Sequence, residues 1–109
     1  ALELRDNNAN DYHGKSVLNA ISNINLEISS KIDPNYGFTQ ESFDHFLIDL
    51  DGTPNKERLG ANAILATSIA FAKATASSKN IPLYQSLTDE SSYMLPIPMM
   101  NIINGGCLF

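Results

Sequence analysis

The stretch that decides the fold spans residues 49–84 and reads DLDGTPNKERLGANAILATSIAFAKATASSKNIPLY. It contains the longest helical pattern in the chain, from Gly60 to Lys79, in which apolar and small residues fill most positions. These residues are Ala61, Ala63, Ile64, Leu65, Ala66, Ile69, Ala70, Phe71, Ala72, Ala74 and Ala76. A helix that is apolar nearly all round is typical of a buried helix. The pattern therefore predicts a long, central, buried helix on which the other elements pack.

Turn and cap residues mark both ends of this predicted helix. Asp51-Gly52 and Thr53-Pro54 are turn pairs that precede it, Asn80 can adopt the left-handed conformation of a helix end, and Pro82 can open a further short helix. The alanines let neighbouring helices approach closely at little cost in side-chain entropy. We therefore expect added bulk, as in Ala70→Leu, to destabilise the intact protein by overpacking.

Two further helices are predicted before the central one. Within residues 15–31, apolar residues recur at intervals of four, three and four, at Val17, Ile21, Ile24 and Ile28. Asp33-Pro34 ends that pattern, because a proline disfavours helical geometry in the preceding residue. Within residues 39–50, Thr39 can cap a second helix whose apolar stripe is Phe43, Phe46, Leu47 and Leu50, with Gly52 as its stop.

The two ends of the chain show extended patterns. Leu2 and Leu4 alternate with Glu3 and Arg5, which is the two-residue period of a strand. Near the other end, Pro96 and Pro98 exclude a helix interior, and residues 99–103 form an apolar run that Asn104-Gly105-Gly106 closes. The chain is thus predicted to be mainly α-helical with a short extended segment at each end.

Composition excludes several classes of function. The formal net charge is -5, and the longest cluster of basic residues lies within residues 56–58, so a nucleic-acid partner is not expected. No apolar run is long enough to span a membrane, and the first residues lack the pattern of a secretion signal. Cys107 is the single cysteine and has no internal disulfide partner, which favours a reducing, cytoplasmic location.

The pattern most like a metal site is Glu41, His45 and Asp49, which helical spacing places on one face. That face lies opposite the Phe43/Phe46 stripe, so a solvated surface with a Glu41–His45 pair is the favoured interpretation. His13 lies at a helix entrance without a nucleophile or carboxylate to work with. We interpret it as a loop histidine, because catalysis needs a constellation of groups.

Two features near the end of the chain also allow a functional and a structural interpretation. Asn104-Gly105-Gly106 could form a phosphate-binding nest, but two glycines without a following helix or lysine favour a simple turn. Cys107 could act as a nucleophile only beside a base and in a site that excludes water. The sequence offers neither.

Five separated blocks of the sequence resemble the amino-terminal domain of enolases, the phosphopyruvate hydratases, in the order in which that family has them. The blocks are ALELRD at 1–6, YHGKSV at 12–17, LDGTPNKERLGANAILATSIAFAKA at 50–74, IPLYQSL at 81–87 and LPIPMMNIINGG at 95–106. The resemblance implies an α+β domain in the parent protein, of which this chain is mainly the helical part. It implies residues 1–93 as a partial amino-terminal domain, with its first strands missing, and residues 94–109 as the lead-in to a barrel domain.

The resemblance also implies an activity for the parent protein, which is the dehydration of 2-phosphoglycerate to phosphoenolpyruvate. In this family a lysine base, two Mg²⁺ ions and an assisting glutamate carry that reaction, and all belong to the barrel. Carried over position by position, no catalytic, substrate-binding or metal-binding residue falls in this chain. The family's histidine after Asn-Gly-Gly has no counterpart in Cys107-Leu108-Phe109.

The expected partners are the chain's own carboxy-terminal barrel domain and, at full length, further copies in a homo-oligomer. Because the chain starts at Ala1 inside the family pattern, we interpret it as a fragment. The alternative is a free-standing helical interaction module without activity.

Overall fold

The computed structural model describes residues 1–88, and that part of the chain is helical without a β-strand. Its elements are a 3₁₀ turn (Tyr12–Gly14), α1 (Leu18–Ser22), a π-helical stretch (Asn23–Ile28), α2 (Ser29–Lys31), α3 (Gln40–Asp51), α4 (Ala61–Ser78) and α5 (Leu83–Ser86). From α1 to α2 the chain runs without a break, and residues 18–31 are called the first helix below. The predicted mainly helical fold is confirmed. The extended run at 99–103 and the whole lead-in at 94–109 lie outside the described residues.

The helices begin and end at the cap and turn residues that the sequence analysis predicted. The hydroxyl of Thr39 accepts a hydrogen bond from the Ser42 amide, and the Ser42 hydroxyl accepts one from the Thr39 amide, which completes a capping box at the start of α3. Gly52 ends α3 in the left-handed conformation, with φ of 73°. Asn80 has the same conformation, with φ of 54°, two residues after α4. Pro82 directly precedes α5.

The core lies between the first helix, α3, α4 and the loop that joins α3 to α4. Leu47 and Leu59 have no exposed surface, and Ile28 is 1% exposed. The ring of Phe43 stacks on Phe71 of α4 with 4.3 Å between the ring centroids. Full burial of an aliphatic or aromatic side chain contributes about 1.5–3 kcal/mol, so this cluster is the main source of stability in the described part.

The first helix does not keep the regular apolar stripe that its spacing predicts. Ile24 packs against the core and Ile28 is buried, but Ile21 is 44% exposed. A π-helical turn holds more residues than an α-helical turn, so residues beyond Asn23 are rotated relative to those before it. A single α-helical period therefore cannot describe both halves of this helix.

The central helix α4 is buried along one face only. Ala63, Ile64, Ala72 and Ala76 are buried, whereas Leu65 is 61% exposed and Ile69 is 43% exposed. The sequence predicted that α4 is buried nearly all round. This prediction is confirmed for the buried face and is wrong for the face that carries Leu65 and Ile69. α3, α5 and the first helix all contact α4 on the buried side. Within residues 1–88 no element covers the other side, which includes Ala66 and Ile69.

The effect of Ala70→Leu was predicted for the intact protein and stays a prediction. The one-sided burial of α4 gives a paired test in the 109-residue chain. In the 109-residue chain, Ala63→Leu should destabilise by about 1–3 kcal/mol, because Ala63 is 1% exposed and the added atoms must displace core side chains. Ala66→Leu, at an exposed position on the other side of α4, should change the free energy of unfolding by less than about 0.5 kcal/mol, as surface substitutions do. Chemical denaturation of both variants measures the difference. Equal losses would contradict the assignment of the two faces.

Candidate functional surfaces

The carboxylate of Asp51 organises the loop between α3 and α4. Asp51 is 2% exposed at the last position of α3. Its Oδ1 accepts a hydrogen bond from the Leu59 amide at 2.7 Å, and its Oδ2 accepts from the Thr53 amide at 3.0 Å and also from the Thr53 hydroxyl. Both ends of the loop are therefore tied to one side chain. This places Leu59 in the core and fixes the point at which α4 begins.

The charge state of Asp51 follows from these contacts. Burial raises the pKa of its carboxyl, but the hydrogen bonds from Thr53 and Leu59 and the positive charge of Arg58 outweigh burial, so the net pKa lies below its ordinary value. Since the hydrogen bonds all go to the ionised form, the loop is held best when Asp51 is charged. Asp51 is therefore a structural carboxylate, and both of its oxygens accept hydrogen bonds from the loop.

Arg58 joins the same loop to two helices. Its Nε donates to the backbone oxygen of Asp51 at 2.9 Å, and a terminal guanidinium nitrogen donates to the backbone oxygen of Leu50. These carbonyls end α3, where a positive charge is favourable. The other terminal nitrogen lies 2.8 Å from the carboxylate of Glu27 on the first helix. One side chain thus links the end of α3 with the first helix.

Asn62 holds the start of the chain against the beginning of α4. Its Oδ1 accepts from the Leu4 amide at 2.9 Å, and its Nδ2 donates to the Leu4 backbone oxygen at 3.1 Å. The side-chain amide of Asn62 thus pairs with both backbone groups of Leu4, as a residue on a neighbouring strand would. Gly60 makes this approach possible, because a Cβ there would lie 2.6 Å from the Leu4 Cβ, and its φ of 98° is also unfavourable for other residues.

Asp6 caps the first helix from a distance of twelve residues in sequence. No side chain at the position before α1 provides a cap, but the carboxylate of Asp6 accepts from the amides of Leu18 and Asn19 at 2.9 and 3.0 Å. The hydrogen bond from Asn19 is the largest influence on the carboxyl, and the pKa of Asp6 is lowered. The start of the chain is therefore fixed to both the first helix and α4.

The residues proposed from sequence as a possible metal site lie on an open surface. Glu41 and His45 are 3.9 Å apart, with 87% and 67% of their side chains exposed, and Asp49 is also exposed. Within residues 1–88, no three histidine, cysteine, aspartate or glutamate side chains converge to hold a metal ion. The solvated Glu41–His45 pair is the interpretation that the geometry confirms.

The remaining sequence candidates form no catalytic constellation. His13 is exposed in the 3₁₀ turn and has φ of 55°. In the part of the chain that the structure describes, it has no hydrogen bond or ion pair. Asn104-Gly105-Gly106 and Cys107 lie outside the described residues. The polar side chains that sequence analysis did not single out, namely Asp6, Asp51, Arg58 and Asn62, all serve the fold.

Two apolar surfaces remain open to solvent. One is the outer face of α4, defined here by Leu65, Ala66 and Ile69. The other is on the first helix, where Leu18 is 63% and Leu26 is 73% exposed. Contiguous exposed apolar patches are characteristic of surfaces that bind another element or protein. Among the helices of the described residues, none is long and apolar enough to cross a membrane.

Comparison with known proteins identifies the class to which this arrangement belongs. Residues 1–87 match the family model described as "Enolase, N-terminal domain". The chain therefore belongs to the enolase family. It is 54% identical over 106 residues to "Enolase" of Ehrlichia ruminantium (strain Gardel), and 50% identical over the same length to "Enolase 2" of Pseudomonas syringae pv. tomato. Each match covers 97% of this chain and 25% of the relative, so the chain spans about a quarter of their length.

Replacing Asp51 by asparagine should destabilise the chain by about 1–3 kcal/mol near pH 7, because an amide nitrogen would face groups that donate hydrogen bonds. The exposed neighbour Asp49→Asn is the matched control and should have little effect. Since the folded pKa of Asp51 is lowered, its contribution is complete above the ordinary carboxyl pKa and is lost as pH falls below it. Denaturation between pH 7 and pH 3 measures this, and the stability gap between wild type and Asp51→Asn should narrow with acid. A gap independent of pH would contradict the assigned charge state.

Gly60→Ala should also destabilise, by about 1–3 kcal/mol, through the positive φ and the contact with Leu4. Gly37→Ala is the control, since a Cβ at Gly37 meets nothing within 4 Å. Amide hydrogen exchange of Leu4 should accelerate in Gly60→Ala and stay unchanged in Gly37→Ala. Unchanged exchange in both variants would show that the close approach of Gly60 and Leu4 is not needed.

Proposed function

We propose that this chain is the helical part of the amino-terminal domain of a longer enolase, with residues 1–93 in that domain and residues 94–109 leading into a barrel domain. The family match over residues 1–87 and the coverage of a quarter of the relatives support this. The structural observation that carries it is the open outer face of α4. Leu65 is 61% exposed and Ile69 is 43% exposed, and neighbouring exposed apolar side chains favour a further packing partner in the longer protein.

The activity proposed for the longer protein is the elimination of water from 2-phosphoglycerate to give phosphoenolpyruvate. Removing a proton beside a carboxylate needs a tuned base and concentrated positive charge at the developing enediolate. The described residues of this chain bring together no three side chains that could hold a metal ion. We place the catalytic base, the acid and the Mg²⁺ ligands in the barrel domain and assign no catalytic, substrate-binding or metal-binding residue to this chain.

The role that follows for residues 1–88 is mechanical support. The Asp51, Arg58 and Asn62 contacts fix the helices relative to one another, and the two open apolar surfaces are left to pack on the rest of the protein. The partners proposed are the protein's own barrel domain and further copies in a homo-oligomer at full length. A cytoplasmic location suits a glycolytic enzyme with one cysteine. We propose no nucleic-acid or membrane partner.

A hybrid enzyme tests this proposal. The matching quarter of the Ehrlichia ruminantium enolase would be replaced by this chain, and phosphoenolpyruvate formation would be measured with Mg²⁺ for the hybrid and for the 109-residue chain alone. The hybrid should be active, because the exchanged part is 54% identical to the original and, under this proposal, carries no catalytic group. The chain alone should be inactive, because Mg²⁺ cannot supply missing ligands.

Two controls make the result decisive. A chelator should abolish the activity of the hybrid, and circular dichroism should show that the isolated chain is helical when it is assayed. Chelator-sensitive activity of the isolated chain would overturn the proposal and direct attention to Glu41, His45 and Asp49. A folded but inactive hybrid would favour the free-standing interaction module instead.

A further inference from the structure

The π-helical stretch Asn23–Ile28 joins two halves of the first helix that pack against the same neighbour. Ala20 before the stretch is 3% exposed and Ile28 at its end is 1% exposed, and both α1 and the stretch contact α4. In a regular α-helix, side chains with the sequence separation of Ala20 and Ile28 would point about 80° apart around the helix axis. A π-helical stretch takes up one extra residue, which reduces this angle to about 20°. Both halves can therefore bury their apolar side in the same core.

Two polar side chains of the stretch contact the end of the α3–α4 loop. The Nδ2 of Asn23 donates to the Leu59 backbone oxygen at 3.0 Å. The carboxylate of Glu27 lies 2.8 Å from the guanidinium of Arg58. Arg58 and Leu59 are consecutive residues, and the Leu59 amide is the one that Asp51 holds. The π-helical stretch is therefore tied to the loop whose conformation positions α4.

The backbone at the end of the stretch shows how the extra residue is accommodated. The Ser29 amide donates to the Ile24 oxygen, five residues earlier, whereas in an α-helix it would donate to the Asn25 oxygen. The Ser29 hydroxyl donates to that Asn25 oxygen at 2.5 Å. A carbonyl that loses its α-helical partner thus gains a side-chain donor, as backbone groups in folded proteins require.

We propose that Asn23–Ile28 is a conformational coupling element, whose π-helical hydrogen bonding is held by the core and by the Asn23 and Glu27 contacts with the α3–α4 loop. π-helical turns are rare, so contacts outside the helix must favour this one. When the loop contacts break, the stretch favours α-helical bonding, which turns Ile28 away from the core by about 100°. The loop and the first helix therefore open together. This proposal does not rest on the proposed enolase activity.

The extra residue is tested first, in the 109-residue chain. NMR couplings across hydrogen bonds should connect the Ser29 amide with the Ile24 carbonyl, and a coupling to the Asn25 carbonyl would overturn the proposal. Deletion of the exposed Asn25 should leave a regular α-helix with every other residue on its present face, so cooperative unfolding should persist. Deletion of the exposed His45 from α3 is the matched control and should abolish it, because the rest of that helix turns by about 100°. Equal effects of the two deletions would contradict the proposal.

The coupling is tested by Glu27→Gln, with Glu57→Gln as a control that makes the same change of charge at an exposed loop position. Loss of the Glu27–Arg58 ion pair should accelerate amide hydrogen exchange about two- to five-fold. The acceleration should be the same at Ser29 in the first helix and at Leu59 in the loop. Glu57→Gln should leave both rates unchanged. Acceleration at only one of these two amides, or equal rates in the two variants, would overturn the proposal.

Discussion

The rest of the structure depends on the buried carboxylate of Asp51. A loop of nine residues must leave α3, return Leu59 to the core and start α4 at a fixed place, and Asp51 meets this requirement by accepting hydrogen bonds from both ends of the loop. A buried charge is costly unless its hydrogen bonds are complete. Both oxygens of the Asp51 carboxylate accept hydrogen bonds here, which offsets the cost of burying the charge. The carboxylate therefore favours one loop conformation.

The position of α4 then determines what the remainder of the chain can do. Because Leu59 is fixed, Gly60 and Asn62 lie next to Leu4. The first residues of the chain therefore lie along the start of α4. Asp6 in turn caps the first helix. One chain of polar contacts therefore joins α3, α4 and the first helix around the core, while apolar packing supplies most of the stability. These contacts hold the described helices together as one unit.

Local signals predicted the helices well, because Thr39, Gly52, Asn80 and Pro82 act on their own immediate backbone. Three features could not be predicted in that way. The cap from Asp6 acts across twelve residues, so no search at the helix start would find it. The π-helical stretch breaks the period on which the first apolar stripe was based. The open face of α4 contains the same apolar residues as the buried face, and composition alone cannot show which of them has a partner.

We propose that the outer face of α4 is open in this chain and is covered in a longer enolase. Thiol labelling of Leu65→Cys measures this directly, in a Cys107→Ser background, both in the 109-residue chain and in the hybrid enzyme. Leu47→Cys, at a position with no exposed surface, is the control. We expect fast labelling of Leu65→Cys in the isolated chain and slow labelling of the same variant in the hybrid. Labelling of Leu47→Cys should be slow in both proteins. Equal rates for Leu65→Cys in the two proteins would contradict it.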